Sequence, residues 1–91
     1  MDFGRALECL RGGGKVARGG WNGEGMWVAL SPGFQIGPDR IFSEPIKAHV
    51  QASGEQGEFR PYLIMYTAQG DFVSWVASQS DLLAEDWQEV E

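Results

Sequence analysis

The stretch from Pro61 to Val76 constrains this chain more than any other. Tyr62, Ile64 and Tyr66 alternate with Leu63 and Met65, the two-residue period of a β-strand whose faces differ. Ala68-Gln69-Gly70-Asp71 reads as a four-residue hairpin loop in which Gly70 can take positive φ, and Phe72-Val73-Ser74-Trp75-Val76 returns antiparallel. The fold is therefore expected to rest on an antiparallel sheet.

The other elements follow from periodicity and punctuation. Asp2 to Arg11 reads as an amphipathic helix, with Phe3, Ala6, Leu7 and Leu10 at helical spacing, Cys9 near that stripe and Asp2 as the N-cap. Gly12-Gly13-Gly14 stops it, because glycine tolerates the left-handed cap. Lys15-Val16-Ala17-Arg18 is a short strand, Gly19 to Gly25 a turn-rich loop, and Met26 to Leu30 a second strand with Trp27 facing away from Met26, Val28 and Leu30. Ser43 with Glu44-Pro45 starts a short helix to about Ala52, since Pro is tolerated in a first turn. Ser53 to Glu58 reads as a polar, mobile loop. Ser78-Gln79-Ser80-Asp81 has the Ser-x-x-acid spacing of a helix start, and Trp87 and Val90 suit a final edge strand. The sum is an α+β fold: a small antiparallel β-sheet with an N-terminal helix and one or two short helices.

Size and charge exclude several function classes. The 91 residues leave room for one domain, residues 1–91. Seven basic against thirteen acidic residues give a net charge of −6, which argues against a grip on a DNA or RNA polymer, since that needs clustered Lys and Arg. The apolar runs are too short to span a membrane, and Met1-Asp2-Phe3-Gly4-Arg5 lacks the charged start and apolar stretch of a secretory signal. A single cysteine rules out an internal disulfide and fits a reducing cytoplasm. Four Trp, five Phe and two Tyr beside thirteen Gly suggest surfaces completed by self-association or by a ligand.

Enzyme signatures are sparse. One His and one Cys cannot build a zinc site, and no cofactor is expected. Cys9 reads as a packed thiol, His49 as a surface or partly packed side chain, and the Glu85–Asp86 pair as a solvated edge. Gly12-Gly13-Gly14-Lys15 follows a helix and lacks the order of a phosphate-binding loop.

Two constellations suit a nucleotide. In Gly19-Gly20-Trp21-Asn22-Gly23 a large aromatic is held among glycines beside an amide; the indole either offers a face for base stacking or plugs the core beside a tight turn. In Trp75-Val76-Ala77-Ser78-Gln79-Ser80-Asp81 a strand ends where a helix begins, and the helix start either receives a phosphate or ribose hydroxyl or is simply capped by Ser78 and Asp81. Arg18, one of four basic residues within the first eighteen positions, can pair with a phosphate or remain an ordinary surface charge.

Taken together, Phe3-Gly4-Arg5-Ala6-Leu7, Val16-Ala17-Arg18, Gly20-Trp21-Asn22-Gly23, Gly25-Met26-Trp27, Pro61-Tyr62, Ile64-Met65 and the ending from Trp75-Val76-Ala77-Ser78-Gln79 to Asp86-Trp87 resemble one phage-encoded family, the second group of Thoeris anti-defence proteins. The resemblance covers roughly residues 2–30 and 60–90, and residues 31–60 carry no clear part of it. It implies a single ligand-binding domain that sequesters cyclic ADP-ribose signals (glycocyclic forms with a 1″–2′ or 1″–3′ link) made by bacterial TIR-domain proteins. It further implies a non-catalytic sponge, a homotetramer with sites between protomers, acting in the cytoplasm of the infected host. Some members also sequester cyclic oligonucleotides of the CBASS type. Carried onto this chain, Trp21 and Trp75 become stacking or wall residues, and Asn22, Ser78 and Gln79 bond sugars or phosphates. Asp81 takes a ribose hydroxyl or caps the helix, and Arg18 pairs with a phosphate. Trp27 and Trp87 are left to packing or to the oligomer interface. The rival readings are a protein–protein inhibitor or adaptor of a host factor, acting through an acidic, aromatic surface, and a small hydrolase or lyase.

Overall fold

A computed structural model describes residues 1–21 and 23–91. In chain order the elements are α1 (Phe3–Arg11), β1 (Lys15–Arg18), β2 (Trp27–Ser31), β3 (Phe34–Ile36), a 3-10 turn (Pro38–Arg40), α2 (Glu44–Ser53), β4 (Gly57–Phe59), β5 (Tyr62–Tyr66), β6 (Phe72–Ser74), α3 (Gln79–Leu83) and β7 (Trp87–Val90). This is the expected α+β architecture. The described chain divides into two compact units, Met1–Ser31 with Tyr62–Glu91, and Pro32–Pro61.

The larger unit is a five-stranded antiparallel sheet in the order β6-β5-β2-β1-β7. Sequence dictates each pairing locally. The 67–71 loop closes the β5–β6 hairpin, with the Thr67 N–H donating to the Asp71 carbonyl at 2.9 Å and the Thr67 hydroxyl bonded to the Asp71 carboxylate. Gly13 and Gly70 take φ of +93° and +89°, at the helix stop and the hairpin loop where the sequence calls for glycine. The Asp2 carboxylate caps α1 by accepting from the Arg5 N–H at 2.9 Å. The two-residue period then sorts side chains between faces. Val28 and Met65, partners across β2 and β5, face the helix side, while Trp27 and its partner Tyr66 face the other way.

The core is built from Ala6 and Leu10 of α1, Val16, Val28 and Met65 of the sheet, and Trp87 at the start of β7. On the opposite face Trp27 stacks on Tyr66 at 5.4 Å between ring centroids, with Phe72 edge-on to Trp27 at 5.9 Å and the Lys15 ammonium 5.0 Å from the Trp27 ring.

The smaller unit pairs β3 with β4 in the register Phe34↔Phe59, Gln35↔Glu58, Ile36↔Gly57. Phe34 and Phe59 stack at 5.1 Å with planes 11° apart, and Ile41 and Val50 are buried. Here the structure departs from expectation. The polar stretch read as a loop from Ser53 to Glu58 runs into a strand, because the Phe59 ring brings its neighbours Gly57 and Glu58 into register with β3. The returning strand of the larger unit also ends early, at Ser74, leaving Trp75 just beyond it.

Candidate functional site

Trp21, Trp75 and Trp87 come from three separate stretches of sequence and meet in one cluster. Their ring centroids lie 5.5 Å (Trp21–Trp87), 6.0 Å (Trp75–Trp87) and 6.3 Å (Trp21–Trp75) apart, all edge-to-face. Trp87 is the buried member: its indole N–H donates to the Asp81 carbonyl at 2.9 Å, and Phe3 packs at 5.4 Å on another side. Trp21 and Trp75 are half-buried and pack against the core through Trp87. Edge-to-face packing on a fixed ring restricts both indoles, so each presents a set surface rather than a mobile one.

A charged network frames the cluster. Arg18, at the end of β1, donates from Nη1 to Asp81 Oδ1 and from Nε to Asp86 Oδ1, both at 3.0 Å. Asp81 is also the N3 residue of a capping box. Its N–H donates to the Ser78 hydroxyl at 3.1 Å, while its Oδ2 accepts from the Ser78 N–H at 3.0 Å and the Ser78 hydroxyl at 2.9 Å. Asp86 accepts from the Gly20 N–H through Oδ2 at 2.8 Å and, through its carbonyl, from the Gly19 N–H at 3.0 Å.

The electrostatics follow from these contacts. Burial works against ionisation of Asp81, but the Ser78 backbone and hydroxyl, the Arg18 guanidinium and the Trp21 side chain outweigh it, and its pKa falls below the usual carboxylate value. Asp86 is lowered chiefly by Arg18, with the Gly20 N–H assisting against partial desolvation. Arg18 is raised in turn, first by Asp86 and then by Asp81. Both carboxylates are therefore firmly ionised at neutral pH. The Cys9 thiol is pushed up by burial and by Glu89, which opposes the thiolate a nucleophile needs.

The sequence-derived residues divide accordingly. Arg18, Trp21, Trp75, Ser78 and Asp81 come together. Gln79 is exposed on the first turn of α3. Asn22 lies outside the described residues. Of the two roles open to Asp81, the structure displays the capping one. Sequence reasoning missed Asp86 as a member of this network and left Trp87 to packing in general. The available signal was Arg18, a strand-end cation that needed a carboxylate partner, and the Asp-Trp pair that brings such a carboxylate alongside an indole.

Among the described residues, no grouping of three or more His, Cys, Asp or Glu side chains could hold a metal ion, and no helix is long and apolar enough to cross a membrane.

An α+β unit with a tryptophan cluster framed by an Arg–Asp network thus carries the anti-defence sequence pattern. The sequence profile of the Thoeris anti-defense 2-like domain matches residues 1–90, and the chain belongs to that family. A similar protein is Thoeris anti-defense 2 of Bacillus phage SP01, 36% identical over 93 residues, which cover 96% of this chain and 91% of that protein.

Proposed function

We propose that this protein is a non-catalytic sponge for cyclic ADP-ribose signals, in particular the 1″–2′ and 1″–3′ glycocyclic forms, and that it blocks Thoeris defence by holding the signal intact. Residues 1–91 act as one ligand-binding domain, in the cytoplasm of an infected bacterium. The observation that carries this reading is the pair of half-buried indoles, Trp21 and Trp75, set edge-to-face on the buried Trp87 in a chain of this family.

The chemistry of the ligand matches the groups available. Adenine stacks on an indole, a contact worth about 1–3 kcal/mol per base. Ribose hydroxyls and the pyrophosphate find Ser78, Gln79 and Asn22 as partners, with Asp81 as a ribose acceptor wherever its bonds to Ser78 and Arg18 yield. Among the described residues Arg18 bonds carboxylates through Nε and Nη1, and Nη2 is the donor proposed for a phosphate oxygen. A stoichiometric sponge must bind far below the signal concentration, and nanomolar affinity corresponds to about −12 kcal/mol. Indoles fixed beforehand reduce the ordering cost of reaching that figure. Asp81, held ionised against burial by Ser78 and Arg18, and Asp86, held ionised chiefly by Arg18, are poorly suited to act as general acids.

A homotetramer with sites between protomers completes the reading. Val76, Leu82 and Leu83, beside the tryptophan cluster in sequence, are exposed apolar groups that an adjoining protomer would cover. Those same residues favour the rival reading, an adaptor that blocks a host factor by contact. Recovery of one stoichiometric host protein without nucleotide in a pull-down from infected cells would support the rival. As a second part of the proposal, the chain also takes cyclic oligonucleotides; Arg60, beside the stacked Phe34 and Phe59 in a depression of about 300 Å³ on the smaller unit, is the residue whose reversal to Glu tests it, and unchanged binding by that variant would count against this depression as the site. For the main proposal, incubation with each glycocyclic isomer followed by heat release is the test: intact ligand supports sequestration, and hydrolysed product overturns it.

A further inference from the structure

Asp86 makes three contacts that all converge on the segment leading into Trp21. Its Oδ1 accepts from Arg18 Nε at 3.0 Å, its Oδ2 from the Gly20 N–H at 2.8 Å, and its carbonyl from the Gly19 N–H at 3.0 Å. The Trp21 N–H then donates to the Arg18 carbonyl at 3.3 Å, so residues 18 to 21 turn tightly around this carboxylate. The approach is close: a Cβ at Gly20 would stand 3.0 Å from Asp86 Oδ2, so the carboxylate would have to give by a few tenths of an ångström, and one at Gly19 would stand 3.0 Å from the end of the Gln88 side chain. Two glycines in sequence are otherwise the least constrained backbone a loop can have. From the far side, Arg18 reaches Asp81, whose carbonyl holds the Trp87 indole. Arg18 and Trp87 are themselves partners across β1 and β7.

We propose that Asp86 is the positioning residue for Trp21: by fixing Arg18 and the Gly19–Gly20 backbone together, it sets the indole against Trp87 before any ligand arrives. This rests on the proposed binding of a cyclic ADP-ribose at Trp21. Asp86 acts through Arg18 and Gly20, its Oδ1 holding the first and its Oδ2 the second. Replacing its side chain breaks the bonds to Arg18 Nε and the Gly20 N–H while the Gly19 N–H keeps its main-chain partner, so the turn loosens at Gly20, next to the stacking residue, and binding must then order it each time.

The test is titration calorimetry with 1″–3′ glycocyclic ADP-ribose on the wild type, Asp86→Ala, Asp86→Asn and Val28→Ala, each checked for folding by far-UV circular dichroism. Val28→Ala lowers stability from within the core, away from the loop, and is expected to bind within about twofold of the wild type. Asp86→Ala is expected to weaken binding by about tenfold or more, with Asp86→Asn, which keeps one acceptor oxygen for the Gly20 N–H, in between. Near-UV circular dichroism is expected to change in Asp86→Ala, and the change to disappear in a Trp21→Phe background. If Asp86→Ala and Asp86→Asn both bind like the wild type, the positioning role is overturned while the sponge reading stands. If the wild type itself gives no heat with any glycocyclic isomer, the sponge reading fails. The near-UV comparison then decides the positioning role alone, and identical spectra overturn it.

Discussion

Arg18 and Asp81, sixty-three residues apart in sequence, meet through a 3.0 Å bond that ties the end of β1 to the cap of α3. The same aspartate closes the capping box with Ser78 and supplies the carbonyl that holds Trp87. One residue, through its carboxylate and its main-chain carbonyl, therefore couples a strand, a helix start and the buried indole on which the two candidate ligand-binding indoles rest.

Asp81→Ala removes the capping-box acceptor and leaves the partly buried guanidinium of Arg18 with Asp86 alone. The expected loss of stability is about 1–3 kcal/mol, measured by urea unfolding at pH 7. A loss smaller than about 0.5 kcal/mol, the scatter typical of unremarkable surface substitutions, would contradict the coupling described.

Acid should expose the same network. Asp81 and Asp86 both have lowered pKa values in the folded state, so between the folded and unfolded values the unfolded chain carries more protons, and stability rises with pH. Their contribution is fully present above the unfolded carboxylate value of about 3.9 and is lost as pH falls through the folded values. Urea unfolding between pH 7 and pH 3 is expected to show a decline beginning near pH 4 that is shallower in the Asp81→Asn, Asp86→Asn double variant. Equal pH profiles for variant and wild type would rule the network out as its source.

Trp87→Phe keeps a ring in the core and deletes the N–H bonded to the Asp81 carbonyl. We expect about 1–2 kcal/mol of destabilisation and a change in the near-UV signal of Trp21 and Trp75, which lose part of the surface they pack on. Thermal unfolding and near-UV circular dichroism measure both; an unchanged melting temperature would mean that this buried bond is dispensable.

The parts of this architecture written into local sequence were legible. The α1 stripe with Asp2, the Tyr62–Tyr66 alternation and the Ser78-x-x-Asp81 spacing each report contacts within a few residues. The β3–β4 pairing was not, because three-residue strands have too little length to show a period, and Phe34 finds Phe59 only across α2. Asp86 stayed hidden for the same reason: its partners are Arg18 and Gly20, more than sixty residues away, and two adjacent acids near an acidic tail look like a solvated edge. Trp21 and Trp75 stand out by the glycine loop around the one and the strand-to-helix junction after the other, but their meeting on Trp87 is a property of the folded sheet.

Trp21→Ala is expected to weaken ligand binding by about 1–3 kcal/mol, the worth of one stacked base, and Ser78→Ala to weaken it while also costing about 1 kcal/mol of stability through the lost cap. Ser78→Thr, which preserves the capping hydroxyl, separates the two effects. Calorimetry paired with urea unfolding reads them; normal binding by both alanine variants would remove these residues from the site.

The most direct test of the sponge reading is titration of the purified protein with 1″–3′ and 1″–2′ glycocyclic ADP-ribose, followed by heating and mass spectrometry of what is released. Sequestration predicts saturable nanomolar binding and recovery of at least one isomer with its mass unchanged. A flat titration against both isomers, or recovery of a hydrolysed product, would contradict it.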